Sequence, residues 1–231
     1  MHAHHLVLTL SALLACSKSD DAPADGAGGD ADTDSDSDAD TDADTDTDTD
    51  ADTDPPTAPF TLSAPAFVPS TGHPLESRCE QMMPAEYSCN HGNPELAWSG
   101  VPAGAVSLVL IFDDPDAGNF PHWAVWNIDP TLTGFDAGIS GGGASYAPDP
   151  VDLDGDSNPE PGGDCGSAGG GYLGSCPSDA HVYRWRLFAL SAVLPSAPSN
   201  ATQQCFDQLE TFAQDNAIEV AEMCHIFDPD L

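Results

Sequence analysis

The chain is almost without basic residues. Lys18, Arg78, Arg184 and Arg186 are the whole complement of Lys and Arg in 231 residues, against 39 Asp and Glu. Binding nucleic acid or an anionic lipid surface by charge needs a stripe or cluster of cations, so both are excluded as electrostatic partners. Long hydrophobic runs are also lacking: the longest near the N-terminus, Leu6 to Ala15, has ten residues and is too short to span a bilayer. No Cys-x-x-Cys occurs, which leaves a structural zinc or dithiol redox motif little support. Aromatic residues are absent from 20–54, where 16 of the acidic residues alternate with Thr, Ala and Ser. That segment cannot bury enough apolar surface to offset the entropy of ordering, and its like charges keep it extended.

What is present divides the chain into three. The short apolar run ends in Leu13-Leu14-Ala15-Cys16, which resembles a bacterial lipobox. It predicts a signal peptide over 1–15 and lipidation of Cys16, although Met1 to His5 holds no Lys or Arg. Residues 16–58 then read as an acidic tether, and 59–231 as one domain with a single core. The expected location is the cell envelope, with the membrane as a partner through the lipid. Ser17, where some Gram-negative lipoproteins carry a retention Asp, favours the outer membrane.

Beyond Cys16 there are six cysteines: Cys79, Cys89, Cys165, Cys176, Cys205 and Cys224. An even number in an exported chain predicts disulfides, while the pairing stays open from sequence. Pairing of sequence neighbours, Cys79–Cys89, Cys165–Cys176 and Cys205–Cys224, is the simplest expectation.

The domain reads as mainly β. Short strands are expected around Phe60 to Ser63, Ala66 to Val68 and Leu96 to Trp98, with core strands at Val106 to Phe112, Trp123 to Ile128 and Val182 to Ala192. Helical spacing predicts helices over Thr202 to Ala213 and Ile218 to Ile226. Between two core strands lies Asp113-Asp114-Pro115-Asp116-Ala117-Gly118-Asn119-Phe120-Pro121-His122-Trp123, and a second cluster, Gly171 to Pro177 followed by His181-Val182-Tyr183, precedes another strand. Strand ends on a rigid sheet hold polar loop groups in fixed positions, so the two clusters read as opposite walls of one pocket.

Several motifs occur in one order: Pro94-Glu95-Leu96-Ala97-Trp98, Val101-Pro102-Ala103-Gly104, Asp114-Pro115-Asp116-Ala117, His122-Trp123 and His181-Val182-Tyr183. Together they resemble the phosphatidylethanolamine-binding protein family over roughly residues 60 to 228. The resemblance implies a large antiparallel Greek-key sheet with a smaller sheet and C-terminal helices, and a small anion pocket at one end of the sheet. It implies that Asp114 and Asp116 lie at the pocket mouth, able to accept from an amine or to orient His122. His122 and His181 would donate to a phosphate or carboxylate, Tyr183 would offer its hydroxyl and Trp123 an apolar wall. Gly174 would let backbone amides approach the anion, and Pro177 would hold the loop. The chain departs from the family pattern at Gly118, at Ser175 and at Val182, the last standing where an Arg is common and so removing a permanent cation.

Two other patterns compete. Gly138-Ile139-Ser140-Gly141-Gly142 matches Gly-x-Ser-x-Gly, which would make Ser140 the nucleophile of a hydrolase if a strand preceded it and a helix followed. Asp152, Asp154, Asp156 and Asn158 alternate as oxygen ligands suited to calcium, without matching an EF-hand loop. The expected function is therefore a binding module and not an enzyme. It would take a small anionic or phosphorylated ligand, or a protein target that it could inhibit, and needs no cofactor. The alternatives are a hydrolase-like enzyme and a calcium-stabilised cell-surface adhesion module.

Overall fold

A computed structural model describes residues 58–141, 162–167 and 171–231. Cys16, Ser17 and the Asp152 to Asn158 loop lie outside the described residues, and no helix among the described ones is long and apolar enough to cross a membrane. The strands in chain order are β1 (Thr61–Ser63), β2 (Val68–Pro69), β3 (Gln81–Met82), β4 (Leu96–Ser99), β5 (Ser107–Asp114), β6 (Phe120–Ile128), β7 (Gly134–Phe135), β8 (Gly163–Gly166), β9 (His181–Leu190) and β10 (Ala217–Phe227), with one α-helix, α1 (Thr202–Asn216), before the last. They form a seven-stranded sheet, β2-β3-β10-β9-β5-β6-β8, and a three-stranded sheet, β1-β4-β7. All pairings are antiparallel except that of β3 with β10. The chain is mainly β.

The large sheet is covered on both faces, which is why its central strands read as unbroken apolar runs. Period-two alternation sends Leu108, Leu110 and Phe112 of β5 inward against the small sheet, where they meet Leu62, Leu96, Trp98 and Phe135. Val109 and Ile111 face the other way and pack with Phe206, Leu209 and Ala213 of α1. The same alternation in β9 puts Tyr183, Trp185, Leu187 and Ala189 on the inner face.

Two expectations are corrected here. Ile218 to Ile226 is a strand, paired with β9 from Ala217↔Leu190 to Phe227↔His181. The helical spacing of Val220, Met223 and Ile226 was coincidental: Val220 is exposed, Met223 packs between the sheets, and Ile226 joins Cys79 and Val182 in a third cluster. One C-terminal helix therefore stands where two were expected. The disulfides also differ from neighbour pairing, being Cys79–Cys224, Cys89–Cys176 and Cys165–Cys205. Sheet order decides this, because Cys224 on β10 lies beside the chain entering β3, and Cys205 on α1 lies over β8.

Candidate functional site

The site begins with how β5 ends. Asp114, its last residue, caps the 3-10 turn Pro115–Ala117: Oδ1 accepts from the amides of Asp116 at 2.9 Å and Ala117 at 3.1 Å. Gly118 then takes φ 72° and Asn119 φ 59°, and two left-handed residues in succession turn the chain into β6. Pairing resumes as Asp114↔Phe120 and Asp113↔Pro121, but the next pair is Phe112↔Trp123. His122 is the extra residue of a β-bulge. Consecutive side chains in a regular strand point to opposite faces; the bulge lets His122 and Trp123 both point inward.

That bulge separates their fates. His122 lines a cavity of about 250 Å³ together with Asp114, Ala117, Phe120, Leu173, Gly174, Cys176, Pro177, His181 and Tyr183. The two motif clusters do face each other across it. Trp123 is fully buried one step deeper, its ring edge-on to Tyr172 and its Nε1 donating to Asp164 at 2.8 Å. It is core rather than pocket wall. Phe112 stacks on Trp185 with ring centroids 3.9 Å apart beneath His122, giving the pocket an aromatic floor.

Each histidine has one nitrogen fixed. His122 Nδ1–H donates to the Leu173 carbonyl at 2.8 Å, and His181 Nδ1–H donates to Asp114 Oδ2 at 2.8 Å. Asp114 thus orients His181 and not His122. In both rings Nε2 is the atom left for an occupant. Burial pushes the His122 imidazole below the usual histidine range, outweighing the Leu173 carbonyl and the Asp114 and Asp113 carboxylates that pull it up. Burial raises the Tyr183 hydroxyl, with the Asp114 carboxylate adding to the effect and its contact with the Ser175 hydroxyl opposing it.

Other expected residues support the site from behind. Asp116 does not line the cavity; its carboxylate holds Arg78 and accepts from the Val182 amide at 3.0 Å, tying the 3-10 turn to β9. Gly174 lines the cavity, but its amide donates to the Cys89 carbonyl at 2.8 Å and so does not point to an anion. A Cβ at Gly174 would stand 2.5 Å from the Tyr87 carbonyl oxygen, so glycine is needed there for close backbone approach. Pro177 lines the pocket beside Cys176, whose disulfide to Cys89 fixes this wall.

Sequence reasoning missed what lies under Tyr183. The Trp185 Nε1–H donates to His225 Nδ1 at 2.9 Å, so the neutral His225 carries its proton on Nε2 and donates it to Ser175 Oγ at 2.9 Å. Both Ser175 and His225 are fully buried, and burial holds His225 well below the ordinary histidine value. This tautomer gives Ser175 no base, so the pair is not a nucleophilic dyad; it leaves the Ser175 proton for Tyr183. Reading β10 with period two would have placed His225 on the inner face between Met223 and Phe227.

Ser140 is remote from this pocket. It is buried, its hydroxyl donates to Asp164 Oδ2 at 2.6 Å and accepts from the Tyr172 amide at 3.0 Å, and it follows a turn and not a strand. Among the described residues no group of three or more His, Cys, Asp or Glu could hold a metal ion.

Comparison with known proteins agrees with this architecture. The chain is 37% identical over 133 residues to the UPF0098 protein of Methanothermobacter thermautotrophicus, covering 55% of this chain and 81% of that one. It is 35% identical over 147 residues to the lipoprotein LppC of Mycobacterium tuberculosis, covering 61% of this chain and 60% of LppC. Among solved structures, a phosphatidylethanolamine-binding protein homologue of Chlamydia trachomatis superposes with a TM-score of 0.53 at 27% identity, over 74% of this chain and 98% of that one. E. coli YbcL gives 0.52 at 22% identity over 74% and 99%, a likeness of fold. A profile described as phosphatidylethanolamine-binding protein matches residues 76–227, and with more than half of its length inside that match the chain belongs to the phosphatidylethanolamine-binding protein family.

Proposed function

We propose that the protein is a ligand-binding module whose pocket takes a small anion of phosphate or carboxylate chemistry. The observation that carries this reading is the pair of imidazoles, His122 and His181, each with Nδ1 engaged and Nε2 left for an occupant in one cavity of about 250 Å³. That volume suits a small anion with a short substituent, and the walls made by Phe120, Leu173 and Pro177 suit an apolar one. Binding is favoured over hydrolysis because the Ser140 hydroxyl is engaged by Asp164 and Tyr172 away from the histidines. The Phe120 ring, 42% exposed at the mouth, supports a second kind of occupant, an anionic side chain presented by a protein target.

The module is further proposed to be exported and anchored through lipid on Cys16. The Leu13-Leu14-Ala15-Cys16 motif, the acidic tether after it, the three disulfides and the likeness to the lipoprotein LppC support this. The test of the pocket is an NMR titration of histidine ring signals with inorganic phosphate and with phosphoethanolamine. Saturable shifts at His122 and His181, abolished in a His122→Ala/His181→Ala variant, are expected. Silence of both rings at millimolar ligand would end the anion reading.

A further inference from the structure

The permanent cations near the pocket are already committed elsewhere. Arg78 is held by Asp116, Arg184 by Asp113, and Arg186 by Asp113 and Glu210. What remains facing the cavity is His122 Nε2 and His181 Nε2, with Asp114 and the Tyr183 hydroxyl, itself engaged by Asp114 and Ser175, beside them. A protonated His181 only balances the Asp114 carboxylate that it touches at 2.8 Å. A fully deprotonated dianion would therefore meet no net positive charge in this pocket.

The groups around His122 fix its role. From β5 it faces Phe112 and the Asp114 carboxylate and feels Asp113, which lies on the opposite face of the sheet, and from β9 it faces His181 and Tyr183. From β10 it feels His225, from its own strand Phe120, and from the opposite wall the Leu173 carbonyl that holds Nδ1–H. Burial beneath these rings keeps the imidazole neutral, and a neutral ring with its proton on Nδ1 presents a lone pair at Nε2. One side of the pocket is thus an acceptor. The other, His181 held by Asp114, is a donor when protonated.

We propose that the site reads the proton on its ligand. It takes a phosphate-class oxyanion that retains a P–O–H, which donates to His122 Nε2 while an unprotonated oxygen accepts from His181 Nε2–H, and it discriminates against sulfate. Sulfate has the same shape and charge as the phosphate dianion but no proton to give near neutral pH, so His122 Nε2 would face a sulfate oxygen lone pair to lone pair. An unmade or repulsive contact to a buried polar group costs more than a missing attraction. This inference rests on the reading of the pocket as an anion site and adds to it the class of anion and the residue that selects it.

The deciding experiment is isothermal titration calorimetry of the disulfide-bonded full chain with inorganic phosphate, with phosphoethanolamine and with sulfate, at constant ionic strength, across the pH range in which the monoester loses its second proton. The expected result is phosphate binding at least about tenfold tighter than sulfate on the acid side of that range. Phosphoethanolamine affinity, relative to that of inorganic phosphate, which keeps a P–O–H even as its dianion, should fall by about tenfold per pH unit as the monoester loses that proton. In His122→Gln, whose amide can donate as well as accept, the phosphate-to-sulfate ratio should collapse towards unity. The ratio in the unsubstituted protein decides the matter even if that variant folds poorly. Equal or tighter sulfate binding, or a phosphoethanolamine-to-phosphate affinity ratio independent of pH, overturns proton selection and leaves the anion site standing. Binding of none of these anions overturns both.

Discussion

Asp113 and Asp114 are adjacent residues at the end of one strand, both buried, and they serve opposite ends. Asp113 points to the outer face of the large sheet, where its carboxylate receives Arg184 Nε at 3.0 Å, a terminal nitrogen of Arg184 at 2.7 Å and one of Arg186 at 2.8 Å. Arg186 goes on to Glu210 of α1 at 2.6 Å and lies 5.7 Å over the Phe188 ring. Asp114 points inward to a histidine and two turn amides. One face concentrates permanent charge and closes it on itself; the other uses imidazoles and leaves a nitrogen of each open. A strand's pleat separates an electrostatic clamp from a receptive site within one residue.

The contrast can be broken hardest from the clamp side. Asp113→Ala would leave Arg186, a largely buried guanidinium, without its main counter-charge, and chemical denaturation should record a loss of about 3–5 kcal/mol. Phosphate affinity of the folded fraction should stay near that of the parent. The disulfides give a sharper version with a built-in control. Removing Cys89–Cys176 or Cys165–Cys205 as Cys→Ser pairs should each cost about 2–4 kcal/mol. Only the first lies in the wall that presents the Leu173 carbonyl to His122, so only it should weaken phosphate binding. Equal binding losses from both pairs would erase the distinction between the faces.

The smallest effect concerns acid. Burial holds His122 and His225 below the ordinary histidine value, so the folded chain keeps them neutral while the unfolded chain takes up protons below about pH 6.5. Their contribution to stability is complete above that pH and is lost as pH falls towards the folded values. Stability measured against pH should therefore decline on the acid side. His225→Gln should flatten the slope by up to about 1.4 kcal/mol per pH unit. An unchanged slope would mean that His225 does not titrate on unfolding.

How much of this was legible depended on range. The core strands and the two pocket clusters could be read because their signals are local: apolar runs bounded by Gly and Pro, with His122, His181 and Tyr183 at strand ends. Trp123 could not be separated from His122, since the bulge between them is set by pairing with β5 and leaves no mark in its own sequence. Ser175 stood out as a departure at the pocket wall, but its partner His225 lies 50 residues away on a strand with a helical pattern of apolar residues. The arginines told least. Arg184 and Arg186 alternate out of the inner face with the pleat of β9, and only the register with Asp113 shows that neither serves the pocket.

The cysteine pairing bears on how the molecule is made. The sequence separations are 145, 87 and 40 residues, and the Cys89–Cys176 and Cys165–Cys205 loops interlock. Cys79 and Cys89 leave any exit channel together, long before either native partner, and their proximity makes them the first pair able to oxidise. Cys79 must wait for Cys224, almost the last residue of the final strand. A chain emerging from its N-terminus thus meets its wrong bond first and its right ones last. The expected outcome of refolding the reduced chain is therefore that oxidation alone gives little native pairing, and that adding a thiol–disulfide exchange buffer raises the yield.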